Sequence, residues 1–249
     1  MDIISRKNEK AVHLKKLGAS REYRREHGEF LCDGRKLLAE AVKWGADIHD
    51  VLWCGDAPEE LPEGACVKSA TREVVEAISP LKTPQDVLFS CAIPKTASGK
   101  IPEGSILLEN MQDPGNVGTM LRTANAFNIP AAVLLGSCAD PWSPKAVRAS
   151  MGAVFRQKII EAEYGDVEKL KLSGTRLLGA ALGEKSKDIR SVHFENAVVA
   201  VGNEGNGLSE RLLAMCDSLV IIPMSQKCES LNAAAAAAVI MWEMSMRNE

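Results

Sequence analysis

The chain contains 249 residues, of which 46% are hydrophobic and 25% are charged, and its formal net charge is -3. This composition is typical of an ordinary globular protein that builds a large core in one or two domains. A net charge this close to zero excludes a general electrostatic attraction to nucleic acid, so any contact with RNA must come from local basic patches.

The cysteines and the opening residues predict the cellular compartment of the protein and whether it binds a metal. The seven cysteines are odd in number and form neither a CxxC pair nor a Cys/His cluster. That distribution argues against a disulfide framework and against a zinc site, and it fits a reducing cytosol. The opening stretch, MDIISRKNEK, lacks the apolar core of a signal peptide, and no apolar run approaches 18 residues. We therefore expect a cytoplasmic protein without a bound metal.

The N-terminal part of the chain alternates helices and strands, which predicts a small α/β domain. Strands are predicted at residues 30–32, 50–53 and 87–93, and helices at 8–17, 35–44 and 71–78, with a further basic helix after the first. The first helix keeps Ala11, Val12, Leu14 and Leu17 for the core. Residues 6–36 hold ten Lys/Arg against five Asp/Glu, and on charge alone a solvated helix surface is the favoured explanation.

Residues 94–104, PKTASGKIPEG, are rich in Pro, Gly, Ser and Lys and show no apolar period. Such a segment is typical of a linker between domains. We therefore predict a first domain at residues 1–96, a linker at 97–104 and a second domain at 105–249.

The second domain alternates strands and helices more strongly, which predicts a mostly parallel, doubly wound sheet. The predicted strands are residues 105–108, 131–135, 177–181, 198–201 and 219–222, and the predicted helices are 117–127, 144–155, 167–172 and one that begins at 231. Ligands bind such sheets at the carboxyl ends of the strands. Those ends fall at residues 109–110, 136, 202 and 223. Ser230 is the predicted N-cap of the last helix, which is apolar on nearly every side.

The glycines after residue 201 do not have the spacing of a nucleotide-binding loop. Gly202, Gly205 and Gly207 give the order GxxGxG instead of GxGxxG, and no acidic residue stands about twenty positions on. The chain also lacks GxxxxGK[ST]. A nicotinamide enzyme or an ATP-binding enzyme is therefore disfavoured.

Three segments, in this order and spacing, resemble the motifs of the SpoU (TrmH-like) ribose methyltransferases of the SPOUT class. They are ENMQDPGNVGTMLRTANAF at 109–127, GNEGNGLS at 202–209, and IIPM followed by ESLNAAAAA at 221–237. The third motif runs into alanines where β-branched residues are common in the family. The segment YRREHGEFLCDGRKLLAEA resembles the L30e-like substrate-binding domain that precedes the catalytic domain in many of these proteins.

The resemblance implies an α/β fold whose C-terminal chain forms a deep trefoil knot, preceded by the L30e-like domain. It also implies methyl transfer from S-adenosyl-L-methionine to a ribose 2'-hydroxyl of RNA, in a homodimer that meets through the C-terminal knot region. Ribosomal RNA is favoured over transfer RNA as the substrate. The alternatives are a transfer-RNA enzyme and a non-catalytic RNA-binding or ribosome-assembly factor that keeps the knot.

The resemblance also assigns roles to individual residues. Read without it, Asn116 is an N-cap and Arg122 a surface arginine. With it, the expected catalytic residues are Asn116, Arg122, Glu204, Ser230 and Asn232. The expected cofactor-binding residues are Leu135, Gly136, Gly202, Asn203, Gly207, Ile222, Met224, Leu231 and Asn232. The expected RNA-binding residues are Arg24, Arg25, Arg35, Lys145 and Arg148.

Arg122 needs a chemical role that suits a guanidinium. Because arginine keeps its proton, Arg122 is a poor general base. Fixing the ribose hydroxyl against a phosphate while stabilising developing negative charge is the preferred role.

Overall fold

The computed structural model describes residues 3–95, 100–183, 186–225, 227–228 and 230–246. Most of the predicted linker is described, but its residues 97–99 lie outside these ranges. Within them the α-helices are α1 Glu9–Ala19, α2 Arg21–His27, α3 Arg35–Lys43, α4 Arg72–Ile78, α5 Pro114–Ala126, α6 Pro144–Ser150, α7 Tyr164–Leu172, α8 Glu210–Met215 and α9 Ala233–Met246.

The strands are short, from two to six residues each. They are β1 Glu29–Asp33, β2 Ile48–Trp53, β3 Cys66–Ser69, β4 Val87–Ala92, β5 Ile106–Glu109, β6 Ala132–Leu135, β7 Ile159–Ala162, β8 Arg176–Ala180, β9 Lys187–Asp188, β10 Ala197–Val201 and β11 Ser218–Ile221. Two 3₁₀ helices, Ala153–Phe155 and Ile189–Ser191, complete the elements of these ranges.

The chain divides into two compact units. The first unit is Met1–Lys95 with Asp140–Arg156, and the second is Thr96–Ala139 with Gln157–Glu249. The first unit contains a four-stranded sheet in the order β1-β4-β2-β3, in which β4 is antiparallel to both neighbours and β2 and β3 are parallel. Leu14, Leu17, Leu31, Leu52 and Leu88 lie in its apolar core together with residues of α4.

The second unit is built on a seven-stranded parallel sheet in the order β7-β6-β5-β10-β8-β11-β9. Strands β5, β6 and β10 are buried on both faces, which explains their continuous apolar runs. Leu107, Val133 and Val198 pack with Val167 of α7 and Leu212 of α8. Helices α5 and α9 pack against each other, and α9 also contacts β10. The α/β prediction and the parallel sheet are confirmed.

Helix α6 is shorter than predicted. It ends at Ser150, and Met151 and Gly152 follow in the left-handed region with φ of 49° and 86°. A Cβ on Gly152 would lie 2.9 Å from Cβ of Glu40, so this position has no space for a side chain. The predicted helix over 144–155 was therefore wrong beyond residue 150, and a 3₁₀ turn replaces its end.

Two predicted helix caps were also wrong. The N-cap of α5 is Asp113, three residues before the predicted Asn116. Asp113 accepts hydrogen bonds from the amides of Gly115 (2.5 Å) and Asn116 (3.1 Å), and Pro114 is in the first turn. Helix α9 is capped by Asn232, whose Oδ1 accepts from Ala234 N at 2.9 Å and Ala235 N at 3.3 Å, instead of by Ser230. Val12, predicted to face the core, is 36% exposed.

Candidate cofactor and catalytic site

A cavity of about 480 Å³ opens at the carboxyl ends of β8, β10 and β11 in the second unit. Its wall includes Ala181 after β8, Gly202 after β10, Ile222 after β11, and Ala236 and Ile240 of α9. This is where a parallel sheet places its ligands, and the size suits a single organic molecule.

The segment after β10, residues 202–209, forms a tight loop on one side of the cavity, here called the glycine loop. Asn203 and Gly207 exchange backbone hydrogen bonds of 3.0 and 2.9 Å. The side chain of Asn203 accepts from the amides of Gly205 (2.8 Å) and Asn206 (3.2 Å), so the loop is closed from within. A Cβ on Gly202 would overlap the backbone of Gly207 and Leu208, which explains the glycine there.

Three predicted catalytic residues from distant parts of the chain meet beside this loop. Asn116 Nδ2 donates to Glu204 Oε1 at 2.7 Å, and Asn232 Nδ2 donates to Asn116 Oδ1 at 3.4 Å. Glu204 and Ser230 also line the cavity. Asn116 in the first turn of α5 and Asn232 at the N-cap of α9 therefore form a polar network with Glu204 at the edge of an apolar cavity.

Most of the predicted cofactor residues line the cavity. They are Gly202, Asn203, Gly207, Ile222, Met224 and Leu231. Asn232 caps α9 and joins the polar network, and it is not part of the cavity wall.

Leu135 and Gly136, which were also predicted to bind the cofactor, do not line this cavity. Leu135 ends β6 and Gly136 follows it, and β5 separates β6 from β10 in the sheet. Leu135 is fully buried in the core. Gly136 has φ of 72°, and a Cβ there would lie 2.5 Å from Oδ1 of Asn110, so its glycine serves local packing.

Sequence reasoning missed the contribution of α9 and of Ile189 to the cavity wall. The alanine run at 233–238 was the available signal, because small side chains on a helix leave space beside it. Ile189 belongs to a short 3₁₀ helix and carries no periodic signal.

Arg122 does not line the cavity of its own chain. It is exposed on α5, six residues after Asn116, which places it on a different face of the helix because each residue turns by about 100°. Among the residues that the structure describes, no hydrogen bond or ion pair joins Arg122 to another side chain.

The predicted RNA-binding residues have different surroundings within the first unit. Arg24 is buried: its side chain is only 5% exposed, and its guanidinium donates to Asp140 Oδ2 at 2.6 and 2.8 Å and to the carbonyl of Leu17. Arg35 is half-buried and pairs with Asp86 at 2.7 Å. The side chains of Arg25, Lys145 and Arg148 are exposed.

Metal binding, disulfide bonds and membrane spans are the other features on which the described residues bear. Across the described ranges, no group of three or more His, Cys, Asp and Glu side chains is placed to hold a metal ion. All seven cysteines are free thiols. No helix in those ranges has the length and apolar character to cross a membrane.

Comparison with known proteins identifies the two parts of the chain. Residues 104–242 match the SpoU rRNA Methylase family, and residues 8–88 match the MRM3-like substrate binding domain. The chain is 31% identical over 245 residues to the 23S rRNA (guanosine(2553)-2'-O)-methyltransferase RlmP of Bacillus subtilis, a match covering 97% of this chain and 98% of that protein. It is 28% identical to the 23S rRNA (uridine(2479)-2'-O)-methyltransferase of Streptomyces viridochromogenes, over 96% of this chain and 90% of that protein.

The fold is also that of a solved relative. The AdoMet-bound rRNA methyltransferase from Sinorhizobium meliloti superposes with a TM-score of 0.87 at 26% identity, over 99% of this chain and 97% of that one. Both the sequence match and the fold cover nearly the whole chain. The second and third motifs line one cavity, and the first motif reaches its edge through the hydrogen bond of Asn116 to Glu204. The chain belongs to the SpoU rRNA Methylase family, as its motifs predict.

Proposed function

We propose that this protein transfers a methyl group from S-adenosylmethionine to a ribose 2'-hydroxyl of ribosomal RNA. The observation that carries the proposal is the polar network of Asn116, Glu204 and Asn232 at the edge of the cavity. The printed activities of the two bacterial relatives support ribosomal RNA over transfer RNA. A transfer-RNA substrate stays an alternative, and labelling of the two kinds of RNA distinguishes them.

The cavity suits S-adenosylmethionine in size and in the character of its wall. Apolar side chains such as Ile222, Leu231 and Ile240 dominate, and polar groups are confined to the glycine loop and Ser230. The backbone at Gly202, Ile222 and Leu231 would hold the molecule, and tying these loops in a trefoil knot stays a prediction from the family resemblance. When bound, S-adenosylmethionine supplies an electrophilic methyl group on its sulfonium.

The residues of the chain then have to align the ribose hydroxyl and exclude water, because methyl transfer from a sulfonium needs little acid–base help. Glu204 and Asn116 are placed to orient polar groups at the edge of the cavity. Arg122 keeps its charge and is a donor, so its role is to fix the hydroxyl beside a phosphate and to stabilise negative charge as it develops.

Arg122 fits this role best in a homodimer, since it does not line the cavity of its own chain. An exposed stripe on α9 supports a partner surface: Ala235, Val239, Trp242 and Met246 follow one another at intervals of four, three and four residues. This spacing places them on one face of the helix. We propose that two copies meet through α9 and that each Arg122 serves the cavity of the other copy.

RNA recognition is assigned to the N-terminal domain, which we place at residues 1–96, with a linker at 97–104 and the methyltransferase domain at 105–249. The match of residues 8–88 to a substrate-binding family supports this role. Exposed Arg25 is a candidate phosphate contact there, and Lys145 and Arg148 belong to the same compact unit. The free thiols are consistent with the predicted cytoplasmic location.

The test is calorimetric titration with S-adenosylmethionine of the wild type, Arg122→Ala and Ala236→Phe. Ala236 lines the cavity, so a phenylalanine there fills it without a new charge. We expect the wild type and Arg122→Ala to bind and Ala236→Phe to lose binding while its thermal unfolding stays cooperative.

Transfer of labelled methyl groups to ribosomal and transfer RNA then completes the test. We expect ribosomal RNA to be labelled by the wild type, with loss of at least about 10²-fold in Arg122→Ala, the size reported for removal of a positioned charge-stabilising donor. If only transfer RNA were labelled, the substrate would be transfer RNA instead of ribosomal RNA. No binding of S-adenosylmethionine by folded wild type would favour the non-catalytic RNA-binding factor.

A further inference from the structure

Glu109 is a fully buried carboxylate that the proposed reaction does not use. It is the last residue of β5, and it does not line the cavity. Its oxygens accept three hydrogen bonds, from Tyr164 Oη at 2.6 Å, Ser209 N at 2.7 Å and Ser209 Oγ at 2.6 Å. Burying a carboxylate is costly unless hydrogen bonds compensate it, and these three bonds do so for Glu109.

Two of the three bonds come from the last residue of the glycine loop. Ser209 is also the N-cap of α8, where its Oγ accepts from Leu212 N at 3.2 Å. Because Ser209 donates both its amide and its hydroxyl to Glu109, the position of the loop end is fixed in two directions. The amides in the first turn of α8 favour a negative charge at this point.

The first part of the same loop is fixed by Asn110, the residue that follows β5. Asn203 Nδ2 donates to the carbonyl of Asn110 at 2.9 Å. Asn110 is itself immobilised, since its amide donates to Leu135 O at 3.0 Å and its Oδ1 accepts from Ser137 N at 2.8 Å. Adjacent residues 109 and 110 therefore hold the glycine loop at 203 and at 209, and Asn116 holds it between them through Glu204.

Tyr164 supports the carboxylate from α7. Its hydroxyl donates to Glu109, and the guanidinium of Arg211 lies 3.9 Å from the centroid of its ring. Arg211 is the second residue of α8, the helix that Ser209 caps. The contacts of Glu109 thus join α7 and α8 to the end of β5.

We propose that Glu109 is a positioning residue that holds the glycine loop in the shape that accepts S-adenosylmethionine. It acts through Ser209 and touches neither the substrate nor the cofactor. This inference rests on the proposed cofactor site in the cavity. It assigns to the first motif a second function besides presenting Asn116 and Arg122.

The decisive variant is Glu109→Gln, which keeps the shape but places an amide donor where one donor or two donors already point, depending on which oxygen it replaces. We expect the dissociation constant for S-adenosylmethionine to rise at least about tenfold, the factor that corresponds to one hydrogen bond to a charged group. The KM for S-adenosylmethionine should rise together with this dissociation constant. The kcat at saturating cofactor and the dissociation constant for RNA should stay within about twofold of the wild-type values.

Hydrogen exchange separates loop positioning from general destabilisation. In Glu109→Gln the amides of residues 203–209 should exchange faster, while those of β10 at 197–201 keep their protection. Tyr164→Phe removes one bond of three and should give a smaller loss of affinity. Glu109→Asp keeps the charge but is one methylene shorter, so it should restore part of the affinity.

The matched control is Glu210→Gln, which removes an exposed carboxylate from the first turn of α8, next to Ser209. It should bind S-adenosylmethionine like the wild type. Wild-type affinity and unchanged loop exchange in Glu109→Gln would overturn the proposal, whereas binding retained by Ala236→Phe would instead overturn the site in the cavity. If Glu109→Gln fails to fold, Tyr164→Phe and Ser209→Ala decide, because wild-type affinity in both would also reject the role of Glu109.

Discussion

At position 202 the loop has no space for any side chain. A Cβ there would overlap the backbone of Gly207 and Leu208, and backbone atoms cannot turn away as a flexible side chain does. We therefore expect Gly202→Ala to force the glycine loop open, to destabilise the protein by about 1–3 kcal/mol and to weaken binding of S-adenosylmethionine at least tenfold. Urea unfolding and calorimetry measure the two effects.

Gly205 is the matched control within the same loop. A Cβ on Gly205 would meet only Oδ1 of Asn203, at 3.4 Å. Gly205→Ala should therefore keep the stability of the wild type. Equal losses in the two variants would show that the loop tolerates no change, and the close approach at Gly202 would then not be the cause.

A histidine pair around one carboxylate makes the stability of the first unit depend on pH. Glu29 lies 3.2 Å from His13 Nε2 and 3.2 Å from His49 Nδ1. Burial raises the pKa of Glu29, but hydrogen bonds from His13 and His49 outweigh it, so its pKa lies below 4.5. Burial lowers the pKa of His49, but Glu29 and Asp47 outweigh it, so its pKa lies above 6.5.

The sign of the pH dependence follows from these two directions. Glu29 is ionised between pH 6 and pH 8, and the protonated form of His49 is the one that the folded state prefers. The contribution of His49 is complete below about pH 6.5 and is lost as the pH rises through its folded value. Because His49 is 40% exposed, the contribution stays below about 1 kcal/mol.

We expect His49→Gln to unfold at lower urea than the wild type at pH 6, with a difference that shrinks by pH 8. The control is His193→Gln, which removes an exposed histidine from the other unit. A difference that grows from pH 6 to pH 8 would contradict the pairing of His49 with Glu29.

The exposed face of α9 is the element that should join two copies. Trp242 is 47% and Met246 55% exposed, although the opposite side of the helix is buried against the second unit. A charge in this stripe has to be dehydrated in an interface, so Trp242→Glu should convert a dimer into a monomer. Sedimentation velocity at micromolar concentration measures the change.

Leu172→Glu is the control for this prediction, because Leu172 is 87% exposed at the end of α7 and lies outside the stripe. It should leave the sedimentation coefficient unchanged. Because we propose that Arg122 acts at the cavity of the other copy, Trp242→Glu should also lose methyl transfer. A wild type that sediments as a monomer, or a fully active monomeric variant, would exclude the shared site.

The elements that the sequence predicts well are those with a sustained apolar period. Helices α1, α4, α5 and α7 and strands β4, β6, β8 and β10 lie within three residues of their predicted starts. Strands β3, β7 and β9 were missed, because none of them contains more than two consecutive apolar residues, which is too short a run to indicate a buried strand. The cap of α5 was misplaced although Pro114 marked the first turn, since Asp113 and Asn116 are both good N-cap residues.

The order of strands in the sheet explains why Leu135 and Gly136 lie away from the cavity. The rule for parallel sheets predicts the edge on which a ligand binds, and it does not say which strands are neighbours there. In this fold β10 is inserted between β5 and β8, which moves the cavity away from β6. That insertion depends on pairings between residues about a hundred positions apart, which no local period contains.

For the whole molecule, charge decides how it can reach RNA. A net charge of -3 provides no general attraction, so binding has to come from a few exposed cations. Each phosphate that a cation neutralises releases counterions, and the affinity then falls with salt at a slope of about 0.7 to 0.9 per contact. Among the predicted contacts, Arg25, Lys145 and Arg148 are exposed and Arg24 is not.

We expect Arg148→Gln and Lys145→Gln each to weaken RNA binding about uniformly across sequences and to reduce the slope of log K against log salt by about one. Arg24→Gln should behave differently, because it leaves Asp140 buried without its partner and costs about 3–5 kcal/mol of folding free energy. Filter binding from 50 to 200 mM salt, beside urea unfolding, separates the two kinds of residue. A reduced slope in stably folded Arg24→Gln would return Arg24 to the RNA-binding surface, and unchanged slopes in the other two would place the phosphates elsewhere.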